Sequence, residues 1–428
     1  MSETKIGYKD ILKQKEYMKM IFAALINRFG DAIDAVASAW IVYELTNNAA
    51  WSAIIFGVNR LPSVLITPLA GAWVEGQNKK KIMIITDLIR AICVAFVATG
   101  YFLGFLQVWM LLITTFTIST AEAFRMPANT AFTPLILKKE YYEYAMSLMT
   151  TMSMIVELIG TALAATIIAA IGTAGAIYVD MVTFVLSAVI ICFVNVKEEK
   201  KEKQKFQAAQ YKQTLQDGLQ YVSSNSYFKL LLFICIFLNA ALVPLDSLQA
   251  PMANEILGGG AEILSVYGVA TTLGMLIGSA AYPMLVQKVR ANVLILVGGE
   301  SVGLYYLAMI LCQPFYSNKI FLYVYVVVSN VILGLLVAMM SSFMNVAIVK
   351  QTDQQYLARV SAIMSATACA AIPVTSFVVS FIAAWTSVSN IFILAGIVDM
   401  ILILLMVRGK NFDRAKEESC ESGGVEIE

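Results

Sequence analysis

Between Asn27 and Ser38 the stretch NRFGDAIDAVAS sets Asn27, Asp31, Asp34 and Ser38 at i, i+4, i+7 and i+11, a single helix face. Arg28 stands next to them. The flanking residues are apolar, so these groups fall at the centre of what otherwise reads as a long apolar helix. At bilayer depth each charge costs on the order of 2.5–3.5 kcal/mol. Desolvation disfavours the charged form of a carboxyl, so such groups can take and release protons where a solvated aspartate stays ionised. The chain has no histidine. Any proton relay in it must therefore use carboxylates.

Polar stripes of the same kind recur. Thr115, Ser119, Glu122 and Asn129 share one helix face, as do Cys235, Asn239, Asp246 and Gln249, and Asn330, Gly334, Ser341 and Asn345. Hydrocarbon cannot solvate such stripes, so the four are expected to line a central polar cavity. Arg28 with Asp31, Asp87 with Arg90, and Glu122 with Arg125 are i, i+3 neighbours and read as local ion pairs. Asp34, Glu157, Asp180, Asp246, Glu300 and Asp399 have no such neighbour, and Arg60 is the cation left over. Acids outnumber bases at depth. Asp180 and Asp399 suit capping a helix or binding a buried hydroxyl. Asp31, Asp34 and Glu157 suit proton coupling or substrate contact, with Glu122, Arg28 and Arg60 as partners. Of these, Arg28 is expected to neutralise Asp31 and leave Asp34 the proton-labile group. Glu157 shares its face with Ser153, Gly160 and Ala164, small residues that permit close helix approach. Methionines crowd 146–154 and 339–344, where they suit a yielding apolar pocket or ordinary helix filler.

These residues need a membrane-embedded scaffold. The chain of 428 residues is 59% hydrophobic and 14% charged, with net charge +1, so charge does not point to nucleic acid. Twelve apolar spans are read at about 18–46, 51–74, 82–105, 107–127, 143–171, 173–195, 228–252, 262–287, 291–312, 319–349, 356–384 and 387–407. Connections after odd spans are short and nearly free of Lys and Arg. Those after even spans hold Lys79 to Lys81, Lys138 and Lys139, the cluster Lys197 to Lys212, Lys288 with Arg290, and Lys350 with Arg359. The positive-inside rule then places both termini in the cytoplasm. The lysine-rich start runs into span 1 without a small-residue cleavage pattern and is expected to stay. Five of the six cysteines are scattered one to a span, which suits free thiols rather than disulfides or a metal site.

The organisation expected is an all-α membrane protein. Residues 1–195 form an N-terminal six-helix half and 196–227 a cytoplasmic linker, with Tyr211, Leu215, Leu219 and Val222 on one face of an amphipathic helix. Residues 228–410 form the C-terminal half and 411–428 a disordered tail. The halves echo each other: Asn129 and Ala131 recur as Asn345 and Ala347, and Ser147-Leu-Met as Ser361-Ala-Ile-Met. Parallel repeats of this kind build one class of transporter.

GAWVEGQNKK (Gly71 to Lys80) resembles the major facilitator signature G-x-x-x-D-R-x-G-R-R. GDAIDAVASAWIVYELT, Arg60-Leu61-Pro62, DLIRA, FRMPANTAFTPL, DMVTFVLSA and DGLQYVSSN follow in the order of the macrolide-efflux and enterobactin-exporter-like branch. The resemblance implies the major facilitator fold, alternating access and export of a small amphipathic compound, usually against protons, by a multi-pass protein of the bacterial cell membrane. It also implies gating by Glu75, Arg125, Lys79 and Lys80, Glu75 pairing with Arg125 when the protein faces outward. Two positions depart from the pattern. Gly76 stands where the signature has arginine, and GTALAA at Gly160 lacks the proline of the antiporter motif.

The leading expectation is a monomeric secondary exporter of a drug, macrolide or siderophore-like compound. Its site residues are Asp34, Asp31, Glu157, Glu122, Arg28 and Arg60, its cavity lined by Asn27, Ser38, Asn239, Asp246, Asn330 and Asn345. Export of a metal ion or chelate through the span 1 aspartates is the second reading, and a non-transporting receptor or scaffold the third. No nucleotide loop, nucleophile–base constellation or metal-ligand spacing occurs, so neither an enzyme nor a cofactor or metal is expected.

Overall fold

The computed structural model describes residues 8–75, 77–196, 220, 222–223, 225–285, 291–352 and 357–409. All the long elements are helices. In chain order they are α1 (Tyr8–Leu12), α2 (Lys15–Thr46), α3 (Ala49–Leu65), α4 (Thr67–Glu75), α5 (Lys79–Phe102), α6 (Val108–Ile136), α7 (Tyr142–Cys192), α8 (Ser226–Ser247), α9 (Ala261–Leu285), α10 (Ala291–Leu311), α11 (Lys319–Gln351), α12 (Leu357–Ala383) and α13 (Val388–Gly409). Among the described residues nine helices are long and apolar enough to cross a membrane. One of them, α7, holds both the fifth and the sixth span, because Gly172 leaves the helix at φ 75° and ψ 167°. That backbone region is open almost only to glycine. The charge-bearing α2 and α6 complete the twelve.

Helix ends agree with the sequence reading to within a few residues except in α6. That helix runs through Pro127 and Pro134 to Ile136, nine residues past the expected stop. Proline removes one N–H and strains the preceding turn, and in a membrane helix neighbouring groups make good the loss. Asn78, Asn225 and Asn318 start α5, α8 and α11 by accepting backbone N–H groups, as N-cap residues do.

The chain forms two compact units, one of residues 1–47 and 58–206, the other of 48–57 and 207–428. In the first, α2 lies along α7 at close range. A Cβ on Gly160 would sit 2.8 Å from that of Ala32 and 3.0 Å from the Phe29 carbonyl, so only glycine lets these two helices approach. One core gathers Met20, Val74, Met83, Phe132 and Ile191. The C-terminal end of α7 is capped by lysines: Lys80 Nζ donates to the Cys192 and Val194 carbonyls at 2.8 Å each, and Lys19 Nζ to that of Phe193 at 2.8 Å. Cations there complement the unpaired carbonyls and the negative end of the helix dipole.

In the second unit a core of Phe228, Leu231, Met340, Met344 and Val360 takes in Val222 from the linker. Ser376 Oγ donates to the Ala53 carbonyl at 2.6 Å, which ties the start of α3 to α12. Most of the amphipathic helix expected at 211–222, and the tail from 411, lie outside the described residues.

Candidate functional site

The first unit holds six carboxylates and three guanidinium groups in the middle of α2, α5, α6 and α7. The acids are Asp31, Asp34, Asp87, Glu122, Glu157 and Asp180, and the bases Arg28, Arg90 and Arg125. None of the three local pairs read from sequence forms; every arginine reaches across to another helix. Arg90 on α5 bridges two acids, Asp31 on α2 (Nη2 to Oδ1, 2.7 Å) and Glu122 on α6 (Nη1 to Oε2, 2.7 Å). Its guanidinium lies 4.0 Å over the Phe184 ring of α7, a cation–π contact. Arg125 on α6 donates through Nε to Asp87 on α5 at 2.5 Å. Arg28 on α2 donates to Glu157 on α7 at 2.5 Å. The physical reason for this exchange is geometric. An i, i+3 pair is worth about 0.2–0.5 kcal/mol on a solvated helix, whereas packed helices place several acceptors around one buried guanidinium and so offset its desolvation.

Asp87 is fully buried and the most completely held of the acids. Ser187 Oγ donates to its second oxygen at 2.7 Å. Asn27 closes the same knot. With its amide oriented to satisfy both ends, the oxygen accepts from Arg125 at 2.8 Å and the nitrogen donates to the Thr183 carbonyl at 3.1 Å. Asn27 is 3% exposed, so it belongs to the interior of this unit and does not line a cavity. Asn330, at 0%, is likewise internal to the second unit, where it meets Tyr305 (3.2 Å) and the Val326 carbonyl (2.7 Å).

Asp34 differs from its neighbours. It is half-buried and accepts from Ser38 Oγ at 2.9 Å, one turn along α2. Among the described residues no cation lies within salt-bridge distance of it, nor of Asp180, which is 1% exposed. Asp31, expected to rest on Arg28, rests on Arg90 instead, and Arg28 is left to Glu157, both side chains of that pair being part-exposed at 44% and 36%. Glu157 therefore has a partner after all. Gly160 and Ala164 are buried beside it, as their spacing suggested.

The remaining expected residues fall as follows. Asp246 and Asn345 are exposed on α8 and α11, and Asn239 is half-buried with its amide on the Cys235 carbonyl at 2.9 Å. Arg60 is exposed on α3. Lys80 caps α7 and Lys79 donates to the Gln77 carbonyl at 3.1 Å. The Glu75 side chain and Gly76 lie outside the described residues, and the Glu75–Arg125 gate with them. Asp180 accepts from a buried hydroxyl, Thr183 Oγ1 at 3.2 Å, as one of the two roles read for it. Asp399 does neither, and among the described residues no group bonds to it. Sequence reasoning left Asp87, Arg90, Thr183 and Ser187 out of the site. The signal was present in Asp180, Thr183 and Ser187, which share one face of span 6 at i, i+3 and i+7.

Residues 10–423 match the family described as transmembrane secretion effector. The chain belongs to this family of major facilitator transporters. Macrolide efflux protein A of Streptococcus pyogenes is 23% identical over 375 residues, 86% of this chain and 91% of that protein. Multidrug efflux pump Tap of Mycobacterium bovis is 21% identical over 366 residues, 83% and 84% of the two chains. Among solved structures, a bacterial homologue of the iron transporter ferroportin in its inward-facing state aligns with TM-score 0.72 and 13% identity over 94% of this chain and 98% of that one. At that identity the likeness shows the fold. The protein is a multi-pass membrane transporter of the major facilitator fold, related to efflux proteins, and not an enzyme.

Proposed function

We propose that this transporter exports a small amphipathic, preferentially cationic compound in exchange for protons, and that Asp34 is the carboxylate that couples the two. The observation that carries the reading is the charge balance of the first unit. Arg28, Arg90 and Arg125 are engaged by Glu157, by Asp31 with Glu122, and by Asp87. Among the described residues Asp34 and Asp180 keep only hydroxyl donors, Ser38 and Thr183, and of the two Asp34 is half-buried while Asp180 is sealed at 1% exposure. A carboxylate with one neutral donor in an apolar helix is costly to keep ionised, so it exchanges its proton with whatever positive charge reaches it. Proton release leaves a negative site that attracts a cationic substrate; reprotonation expels it. Linkage makes the competition reciprocal.

The efflux relatives support a drug or macrolide as substrate class, and alternating access comes with the fold. A metal ion is less well supported, because among the described residues no three His, Cys, Asp or Glu converge. The lysine-rich even-numbered connections favour cytoplasmic termini, and we assign the halves, linker and tail as 1–195, 196–227, 228–410 and 411–428.

Purified full-length protein in proteoliposomes, challenged with a macrolide, a lipophilic cationic dye and a siderophore under an imposed pH gradient, tests the reading. Accumulation of the dye or macrolide against its gradient, abolished by collapsing the pH difference, is expected. Uptake unaffected by that collapse would refute proton coupling.

A further inference from the structure

A second internal echo joins the sixth and twelfth spans. Tyr178-Val179-Asp180-Met181 of α7 corresponds to Ile397-Val398-Asp399-Met400 of α13. Both aspartates are 1% exposed, but their surroundings differ. Asp180 has Thr183 on its own helix and Arg90 within electrostatic reach. In the twelfth span the position of Thr183 is taken by Leu402 and that of Ser187 by Met406. Where the third span carries Arg90, the ninth carries Glu300 and no cation.

Neither Asp399 oxygen has a hydrogen-bond partner among the described residues, and Glu300 Oε1 is also buried without one. The helices are too close there for much else to enter. A Cβ on Gly303 would fall 2.7 Å from Met400 and 2.8 Å from Asp399 Oδ2, and one on Gly396 would lie 3.0 Å from the Gly303 carbonyl. The Gly303 backbone approaches Asp399 without reaching bonding geometry. An ionised carboxylate so placed carries the full cost of desolvation with nothing to offset it. Two carboxyls within reach of each other add like-charge repulsion. A proton relieves both at once and needs no extra room, whereas a hydrated cation does not fit between the paired glycines.

We infer that Asp399, buried between α10 and α13, is a proton-binding site of the second unit, carried protonated at neutral pH. The other titratable groups facing it are few. Tyr306 of α10 lies within electrostatic reach and holds its hydroxyl on the Ala241 carbonyl at 2.8 Å; Asp246 of α8 is within reach of the same tyrosine. Glu255, in the turn after α8, is exposed. None of the described side chains of α12 is charged. Asp246 is itself exposed and Glu300 half-buried, while Asp399 is 1% exposed.

Infrared titration of the full-length protein tests this without any transport measurement, so the fate of Asp34 in transport assays does not bear on it. The wild type is expected to show the carbonyl stretch of a neutral, weakly bonded carboxyl at pH 7, shifted in D2O. Asp399→Asn should remove that band and leave the thermal midpoint within a few degrees. Glu300→Gln should keep the band but let it titrate away at lower pH, because the like charge is gone. Persistence of the full band in Asp399→Asn would overturn the assignment. So would a thermal midpoint that rises with sodium against choline chloride in the wild type but not in Asp399→Asn, which would mark a bound cation instead of a proton.

Discussion

Neutralising Asp87 should damage the protein more than neutralising any other acid of the first unit. Asp87 is fully buried and accepts from Arg125 at 2.5 Å and Ser187 at 2.7 Å. Asp87→Asn keeps the shape but strands a guanidinium whose side chain is 10% exposed. Removing one partner of a buried ion pair costs about 3–5 kcal/mol. At roughly 2–4 °C per kcal/mol for a folding unit of this size, the thermal midpoint falls by roughly 6–20 °C. Asp31→Asn is the control, since Arg90 keeps Glu122 and its place over Phe184; its loss should be about 1–2 kcal/mol. Replacing both charges, Asp87→Asn with Arg125→Met, removes the stranded charge and should recover most of the lost midpoint. Intrinsic fluorescence during heating of the purified detergent-solubilised protein reads all three variants against the wild type. Equal midpoints for Asp87→Asn and Asp31→Asn, or a double variant no better than Asp87→Asn, would refute the assigned pairing.

The remaining expectations concern coupling and orientation. Reversing Arg28 to Glu or Glu157 to Arg should each impair dye efflux, and the double reversal should partly restore it; simple additivity in that cycle would mean that the 2.5 Å contact has no functional weight. Because both side chains are part-exposed, the stability cost of either single reversal should stay within about 1 kcal/mol, visible as a small midpoint shift. In a cysteine-free version, single cysteines at Asn48 and Lys200 should label from outside and inside respectively, and the opposite pattern would invert the topology. Shortening Lys80 to Ala removes two carbonyl contacts at the end of α7 and should lower the midpoint by a few degrees without changing the pH dependence of transport.

Much of the architecture was legible because hydrocarbon thickness sets span length. Apolar runs of the right length gave eleven of the twelve spans to within a few residues, and the kink at Gly172 fell where the fifth and sixth spans were divided. The fourth span runs nine residues past its expected end, because a proline that stops a helix in water is tolerated where neighbouring helices cover the gap. The identities of the charged residues were legible too, but their pairing was not. The bonds that form join residues 59, 38, 32 and 129 apart in the chain, and nothing in local spacing encodes which helices touch. Asn27 and Asn330 show the same limit from the other side. A polar stripe says that a helix face avoids lipid, but packed protein satisfies that as well as a cavity does.

Asp34 carries the coupling claim, and one comparison decides it. In proteoliposomes loaded with a transported dye, Asp34→Asn should abolish accumulation driven by a pH difference while dye-for-dye exchange continues near the wild-type rate, since the variant keeps a neutral group beside Ser38. If Asp34→Asn still concentrates the dye under a pH difference alone, protons are coupled elsewhere and the half-buried, cation-free aspartate has a structural role.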